Sequence, residues 1–268
     1  MNLRIILLLA LFAGCSAAQD PVTVPLSNPS QPPTIKASVI SGSITVTTGA
    51  GSQVIVESSA SERDRHGRNE RDNPPQGMHR IDAGGPGTDI DEDHNVVTIR
   101  TRPERGGNLV IQAPANSSLE LRTVNGGTID VTGINGDIEV ENTNGSINLN
   151  RVSGSVVAHT LNGRITADIQ RVTDGKPMSF TSLNGKIDVT LPAATKARLR
   201  LKSDHGAIYS DFDVKMEPDA SRPVVEDNRN SGGKYRIRMD HAVYGSINGG
   251  GPEFLFQTLN GDILIHKK

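Results

Sequence analysis

Between Asn108 and Ile169 a glycine returns about every nine or ten residues, at Gly126, Gly136, Gly145, Gly154 and Gly163. Each return is followed by the same short apolar phrase: Ile129 and Val131, Ile138 and Val140, Ile147 and Leu149, Val156 and Ala158, Ile165 and Ala167. Apolar residues alternating with polar ones describe a strand with one buried face, because successive side chains of an extended chain point to opposite sides. Glycine at a fixed place supplies the positive φ that a tight corner needs. The unit is therefore a strand and a corner, repeated, and the chain is expected to be all-β.

Two kinds of corner alternate. One is Thr/Ser-x-Asn-Gly, at Thr123 to Gly126 with Asn125, Thr160 to Gly163 with Asn162, Ser182 to Gly185 with Asn184, and Thr258 to Gly261 with Asn260; Thr143-Asn144-Gly145 reads as a shortened version. The other is Ile/Val-x-Gly, at Ile134-Asn135-Gly136, Val152-Ser153-Gly154 and Val243-Tyr244-Gly245. Like corners lie about 18 to 22 residues apart, so one period holds two strands and two corners. Asn-Gly between alternating runs is also a hairpin signal, but an antiparallel meander has no reason to alternate its corners. The expectation is a parallel β-solenoid, β-helix-like, with about two strands per coil, in which each corner stacks on its own kind and asparagines hydrogen-bond along the stack. Right-handed winding follows the usual preference of parallel crossovers.

Residues 1–18 read as an export signal: a short basic start to Arg4, then an apolar run from Ile5 to Phe12 that is too short to span a bilayer. Leu11-Phe12-Ala13-Gly14-Cys15 resembles a bacterial lipoprotein box, with Cys15 as the lipidated residue; Ser16-Ala17-Ala18 offers ordinary cleavage after Ala18 instead. Cys15 is the only cysteine, so the exported body is expected to hold no disulfide. Residues 19–33, rich in Pro and Ser, read as a flexible tether. Residues 34–268 read as a single domain with loop insertions near 61–93 and 216–233, whose last repeat, Thr258 to Ile265, is expected to be the end of the fold.

Several function classes are set aside by composition. The charged stretch Ser61 to Arg80 offsets its five arginines with Glu62, Asp64, Glu70 and Asp72 and has no aromatic ring on which bases could stack, and the whole chain has a net charge of -2; no nucleic acid is expected as a partner. Gly84-Gly85-Pro86-Gly87-Thr88-Asp89 begins like a calcium-binding β-roll repeat, but Asp91 stands where a large apolar residue belongs and there is one copy. Asp89, Asp91 and Asp93 likewise imitate an EF-hand start that His94 and Arg100 break, so no metal and no cofactor is expected. The pairs Asp93-His94, Asp204-His205 and Asp240-His241 read as turn or edge residues, since neighbours on a strand point apart. No hydrolase, zinc-protease or nucleotide-loop motif is present, and no catalytic residue is assigned. Asp130, Glu139, Asp168 and Asp188 occupy outward strand positions, where a carbohydrate-cleaving β-helix would keep its carboxylates and where any soluble solenoid needs polar groups. Strands of about five residues and the lack of an aromatic girdle argue against a membrane barrel, whose strands need about nine to eleven.

Leu109-Val110-Ile111 with Pro114, the Asn-Gly-x-Ile-x-Val repeats, and the ending Gly249-Gly250-Gly251-Pro252 to Thr258-Leu259-Asn260-Gly261-Asp262-Ile263 resemble the bacterial β-strand-repeat "putative adhesin" family, a domain of unknown function. The resemblance covers Thr34 to Lys268 and implies a β-solenoid at the cell envelope, with no catalytic or ligand residues to carry over. The expected role is a non-catalytic adhesin or structural and interaction module, exported to the periplasm or outer membrane. It would meet an envelope protein or polysaccharide and touch membrane only through its lipid. A carbohydrate-active β-helix enzyme and an envelope sensor or accessory protein are the alternatives.

Overall fold

Alternation of buried and exposed side chains runs through nearly every element and sorts the strands onto two faces. The computed structural model describes residues 21–60, 87–101, 106–217, 224–227, 235–238 and 242–268. The leader with Cys15, the charged stretch 61–80, Gly84, Gly85 and the Asp240-His241 pair lie outside the described residues.

The first coil is β2 (Thr34–Ser41) and β3 (Ile44–Thr48), with β1 (Val22–Val24) before it and β4 (Val54–Ala60), β5 (Thr88–Asp93) and β6 (Val96–Thr101) after it. The central repeats are β7 (Gly107–Ala113), β8 (Ser118–Asn125), β9 (Ile129–Thr132), β10 (Asn135–Asn144), β11 (Ile147–Asn162), β12 (Ile165–Val172), β13 (Met178–Asn184) and β14 (Ile187–Leu191). Then come β15 (Ala197–Ser203), β16 (Ile208–Ser210), β17 (Lys215–Met216), β18 (Val224–Asp227), β19 (Tyr235–Arg238), β20 (Val243–Ile247), β21 (Glu253–Asn260) and β22 (Ile263–Lys267).

One face is the parallel row β6–β2–β8–β10–β11–β13–β21–β15, using the second half of β11. The other is β7–β3–β9–β11–β12–β14–β22–β16, using its first half. β11 thus crosses from face to face through the second corner, where Arg151 has φ 51° and the register shifts at Val152. The chain is all-β among the described residues, and its stacked two-strand coils are solenoid-like.

The inward residues of the two faces form one core. Opposed positions run Val140, Ala158, Phe180, Phe256 and Leu201 along the first face, with the Phe180 and Phe256 rings stacked at 5.2 Å and 17°. Across from them lie Ile147, Ile165, Ile187 and Ile263, all wholly buried.

Four sequence expectations change here. The last repeat is not the outermost layer: β21 and β22 lie between β13–β14 and β15–β16. Likewise β2 and β3, the first coil, lie between the strands β6–β7 and β8–β9. In this order Asn260 continues the asparagine ladder by donating to Asn184 at 2.6 Å, and His205 stands in the same column of the next layer, β15–β16. Second, Val243-Tyr244-Gly245 is not a corner but part of β20, antiparallel to both β15 and β17. Antiparallel pairs also close the other end, β4 on β7 and β5 on β6, so the orientation is mixed. Third, the stretch read as a tether lies on the fold from Val22: β1 pairs with β4, Val24 and Leu26 are buried, and Ser27 donates to Glu92 from its amide at 3.0 Å and its hydroxyl at 2.8 Å. Two short apolar alternations inside a Pro-rich stretch were enough to seal the end of the core. Fourth, the insertion read as 61–93 ends in a strand, β5, which turns through His94 and Asn95, φ 49° and 64°, into β6. Asp89, Asp91 and Asp93 stay extended along β5, opposite Arg100, Thr98 and Val96, about 6 to 7 Å from one to the next.

Candidate functional site

The Thr/Ser-x-Asn-Gly corner performs three jobs with three residues. Its first residue is buried and donates to the glycine carbonyl of the neighbouring coil: Thr160 Oγ1 to Gly145 at 3.0 Å, Ser182 Oγ to Gly163 at 3.0 Å and Thr258 Oγ1 to Gly185 at 3.0 Å. The half-buried Ser203, in the same column but followed by Asp204-His205-Gly206, donates likewise to Gly261 at 2.9 Å. Its asparagine forms the outer ladder. Asn162 Nδ2 donates to Asn144 Oδ1 at 2.8 Å, Asn184 to Asn162 at 2.7 Å and Asn260 to Asn184 at 2.6 Å, while Asn144 donates to the Val124 carbonyl rather than to Asn125.

The glycine's reason differs from the one expected. Gly126 does have φ 69°, as does Gly154 at 119°. Gly145, Gly163 and Gly185 do not take the left-handed conformation; a Cβ on Gly163 would lie 2.0 Å from the Gly145 carbonyl oxygen. There the residue is small because the coils touch backbone to backbone, and Gly136 is held the same way, 2.2 Å from the Ser117 carbonyl. Gly261 likewise faces the Gly185 carbonyl at 2.4 Å.

Asn142, which the sequence reading passed over, is opposite both Thr123 and Thr160, so Asn142-Thr143-Asn144-Gly145 is a full corner and not a shortened one. Its Nδ2 donates to the Gly127 carbonyl at 2.9 Å, but its buried Oδ1 has no partner. Asn142→Thr should keep a donor to that carbonyl and remove the orphaned acceptor. An increase of about 1 kcal/mol in unfolding free energy is expected, measured by urea denaturation; a loss of stability would contradict this account of the column.

The first face presents the charged surface. Lys36 Nζ meets Glu120 at 2.7 Å and Arg122 Nη2 meets Glu141 at 2.7 Å, each pair joining adjacent coils. With Ser38, Arg100 and Glu139 they line a shallow groove of about 250 Å³. Exposed pairs of this kind set surface pattern more than stability. On the second face His266 bridges two carboxylates, Nδ1 3.0 Å from Asp211 and Nε2 3.4 Å from Asp188, while Lys186 pairs with Asp188 at 2.7 Å and Lys268 with Asp168. Asp130 accepts from Asn148 and Thr128.

The protonation of three carboxylates is displaced, each time downwards. Hydrogen bonds from Lys176 and then Ser155 hold Asp137 low, the His266 ring and Lys267 amide do so for Asp211, and Ser27 does so for Glu92. A lowered carboxylate stays ionised at neutral pH, which suits an ion-pair partner and not a general acid. Among the described residues no group of three or more His, Cys, Asp and Glu side chains could hold a metal ion. Asp93 and His94 touch each other at the β5–β6 turn, and Asp204-His205 sits at a corner. No helix of the described residues is long and apolar enough to cross a membrane.

Residues 134–242 match the Toastrack DUF4097 family model. The Toastrack match runs from the corner before β10 to the edge of β20, less than half of the chain, and the domain is one of unknown function. No curated protein matches the chain. Among solved structures, the chain is similar to the crystal structure of a "putative cell adhesion protein" from Clostridium sporogenes ATCC 15579, at 10% identity and a TM-score of 0.45, over 92% of this chain and 99% of that one.

Proposed function

We propose that the chain is a non-catalytic interaction module of the cell envelope: a right-handed parallel β-solenoid at its centre, exported, lipidated at Cys15, and adhesin-like in offering a long polar face to an envelope protein or polysaccharide. The observation that carries the reading is the charge arrangement of the first face. Its acids and bases are joined across coils, Lys36 to Glu120 and Arg122 to Glu141, in a shallow surface rather than a cleft of converging carboxylates. The leader supports the location, with its apolar run and Cys15 in a lipoprotein-like setting.

Cys15→Ala is expected to move the protein from the membrane to the soluble fraction of separated envelopes. A wild-type protein that is already soluble after export, with Gln19 as its first residue, would remove the anchor from the proposal. Crosslinking in intact envelopes, followed by capture with the charge-reversed variant Lys36→Glu as control, tests the face itself; partners retained equally by both would argue against it.

A further inference from the structure

The stack of second corners stops where the layers leave chain order. Its rungs run from the Asn135 amide to the Ala115 carbonyl, from Ser153 to Ile134 and from Thr173 to Gly154. The next loop, 192–196, must pass the interposed β21–β22 layer to reach β15, and its Ala193 amide bonds to the Lys268 carbonyl instead of to a corner. A groove of about 470 Å³ opens there between the loops 170–175, 192–196 and 250–252. Small-ligand sites span about 300 to 1,000 Å³. The walls are pinned to each other. Asn248, at φ 50°, donates from Nδ2 to the carbonyls of Ala193 at 2.9 Å and Thr195 at 2.7 Å. Gly251 lies so near the Lys196 main chain that a Cβ would stand 2.5 Å from its carbonyl oxygen.

The polar groups that line this groove are not spent on one another. Lys196 and Asp174 have no ion-pair partner among the described residues, and Arg171 gives Nη2 only to the neutral Asn135 Oδ1, at 3.2 Å. Thr195 is 6% exposed, and its buried hydroxyl finds no partner among the described residues. Such orphaned groups are rare and costly in folded proteins. Val172 and Pro252 supply apolar wall.

We infer that this groove binds a short peptide with both ends free. Lys196 and Arg171 take its carboxylate, Asp174 takes its ammonium group, and the Thr195 hydroxyl gains a main-chain partner. Val172 and Pro252 meet small aliphatic side chains. A simple anion would bring like charge to Asp174, and an apolar ligand would cover three charges without pairing any of them. Groups of both signs, none neutralised within the protein, fit a ligand that carries both. The inference rests on this groove alone and is independent of the envelope reading and of the first face.

The test uses the full chain carrying Cys15→Ala, so that no lipid contributes, and trialanine as the probe. Titration followed by amide NMR should give saturable shifts confined to the three loops, with a Kd on the order of 1 mM or tighter. N-acetylated and C-amidated trialanine should each bind at least about fivefold more weakly, and the doubly blocked peptide weaker still. The variants separate the two ends. Lys196→Gln should lessen the preference for a free carboxylate and keep that for a free amine, while Asp174→Asn should do the reverse. Thr195→Val should also bind more weakly yet melt no lower than its parent, because the hydroxyl it removes makes no bond in the free protein. No saturable shift at these loops up to about 10 mM peptide would overturn the inference, as would equal binding of the free and doubly blocked peptides or parental affinity in all three variants.

Discussion

Deleting residues 253–268 is expected to unfold the chain as a whole, not to fray one end. Those residues are β21 and β22, which separate β13–β14 from β15–β16. Their loss removes Phe254, Phe256, Ile263 and Ile265 from the core, each buried to within 1%. At about 1.5 to 3 kcal/mol for each buried large side chain, the loss is roughly 6 to 12 kcal/mol. That is comparable with the whole stability of an ordinary domain, about 5 to 15 kcal/mol. Backbone pairing adds to the effect, since β15 and β16 have their parallel partners only in the deleted coil. Circular dichroism on heating should show no cooperative transition at the wild-type temperature. Had the last repeat been the last layer, the same deletion would trim the stack and leave a sharp, slightly lowered melt; that result would refute the observed layer order.

Gly163→Val should cost on the order of 3 kcal/mol, the upper part of the range for forcing extra atoms into a packed interior. A Cβ at 163 would stand 2.0 Å from the Gly145 carbonyl oxygen and 2.5 Å from its carbon, so the obstacle is main chain, which cannot turn aside as a side chain would. Relief requires the coils to separate. Separation would stretch the Thr160 bond to the Gly145 carbonyl and the Asn162 bond to Asn144. A fall in melting temperature of roughly 6 to 12 °C follows for a chain of this size. Arg164→Ala, one residue on and exposed, should change it by less than about 1 °C. Equal and small effects at both positions would show that the coils do not depend on backbone contact at this corner.

The strand period was legible because it is written in side chains: Ile138 and Val140, or Ile187 and Val189, are apolar for the same reason that they are buried. The corners were legible as places where Asn and Gly recur. The cause of the recurrence was not, since glycine serves a positive φ at Gly126 and a main-chain contact at Gly163 with the same letter. Asn142 escaped notice because amide and hydroxyl can both donate to a carbonyl, so the column Thr123, Asn142, Thr160 is one of function and not of residue type. Coil order is invisible locally. Asn260 and Asn162 could each neighbour Asn184, and in the fold both do. Val243-Tyr244-Gly245 carries the corner phrase but lies in a strand whose antiparallel partner, β15, is decided by residues far away.

The docking of β1 limits how far a lipid at Cys15 could stand from the folded body. Six residues, Ser16 to Pro21, separate that cysteine from Val22, and at about 3.5 Å per residue they reach roughly 25 Å at full stretch. β1 is joined through β4 to β7, at the end of the stack away from β15 and β16. A lipidated chain would therefore be held close by one defined end.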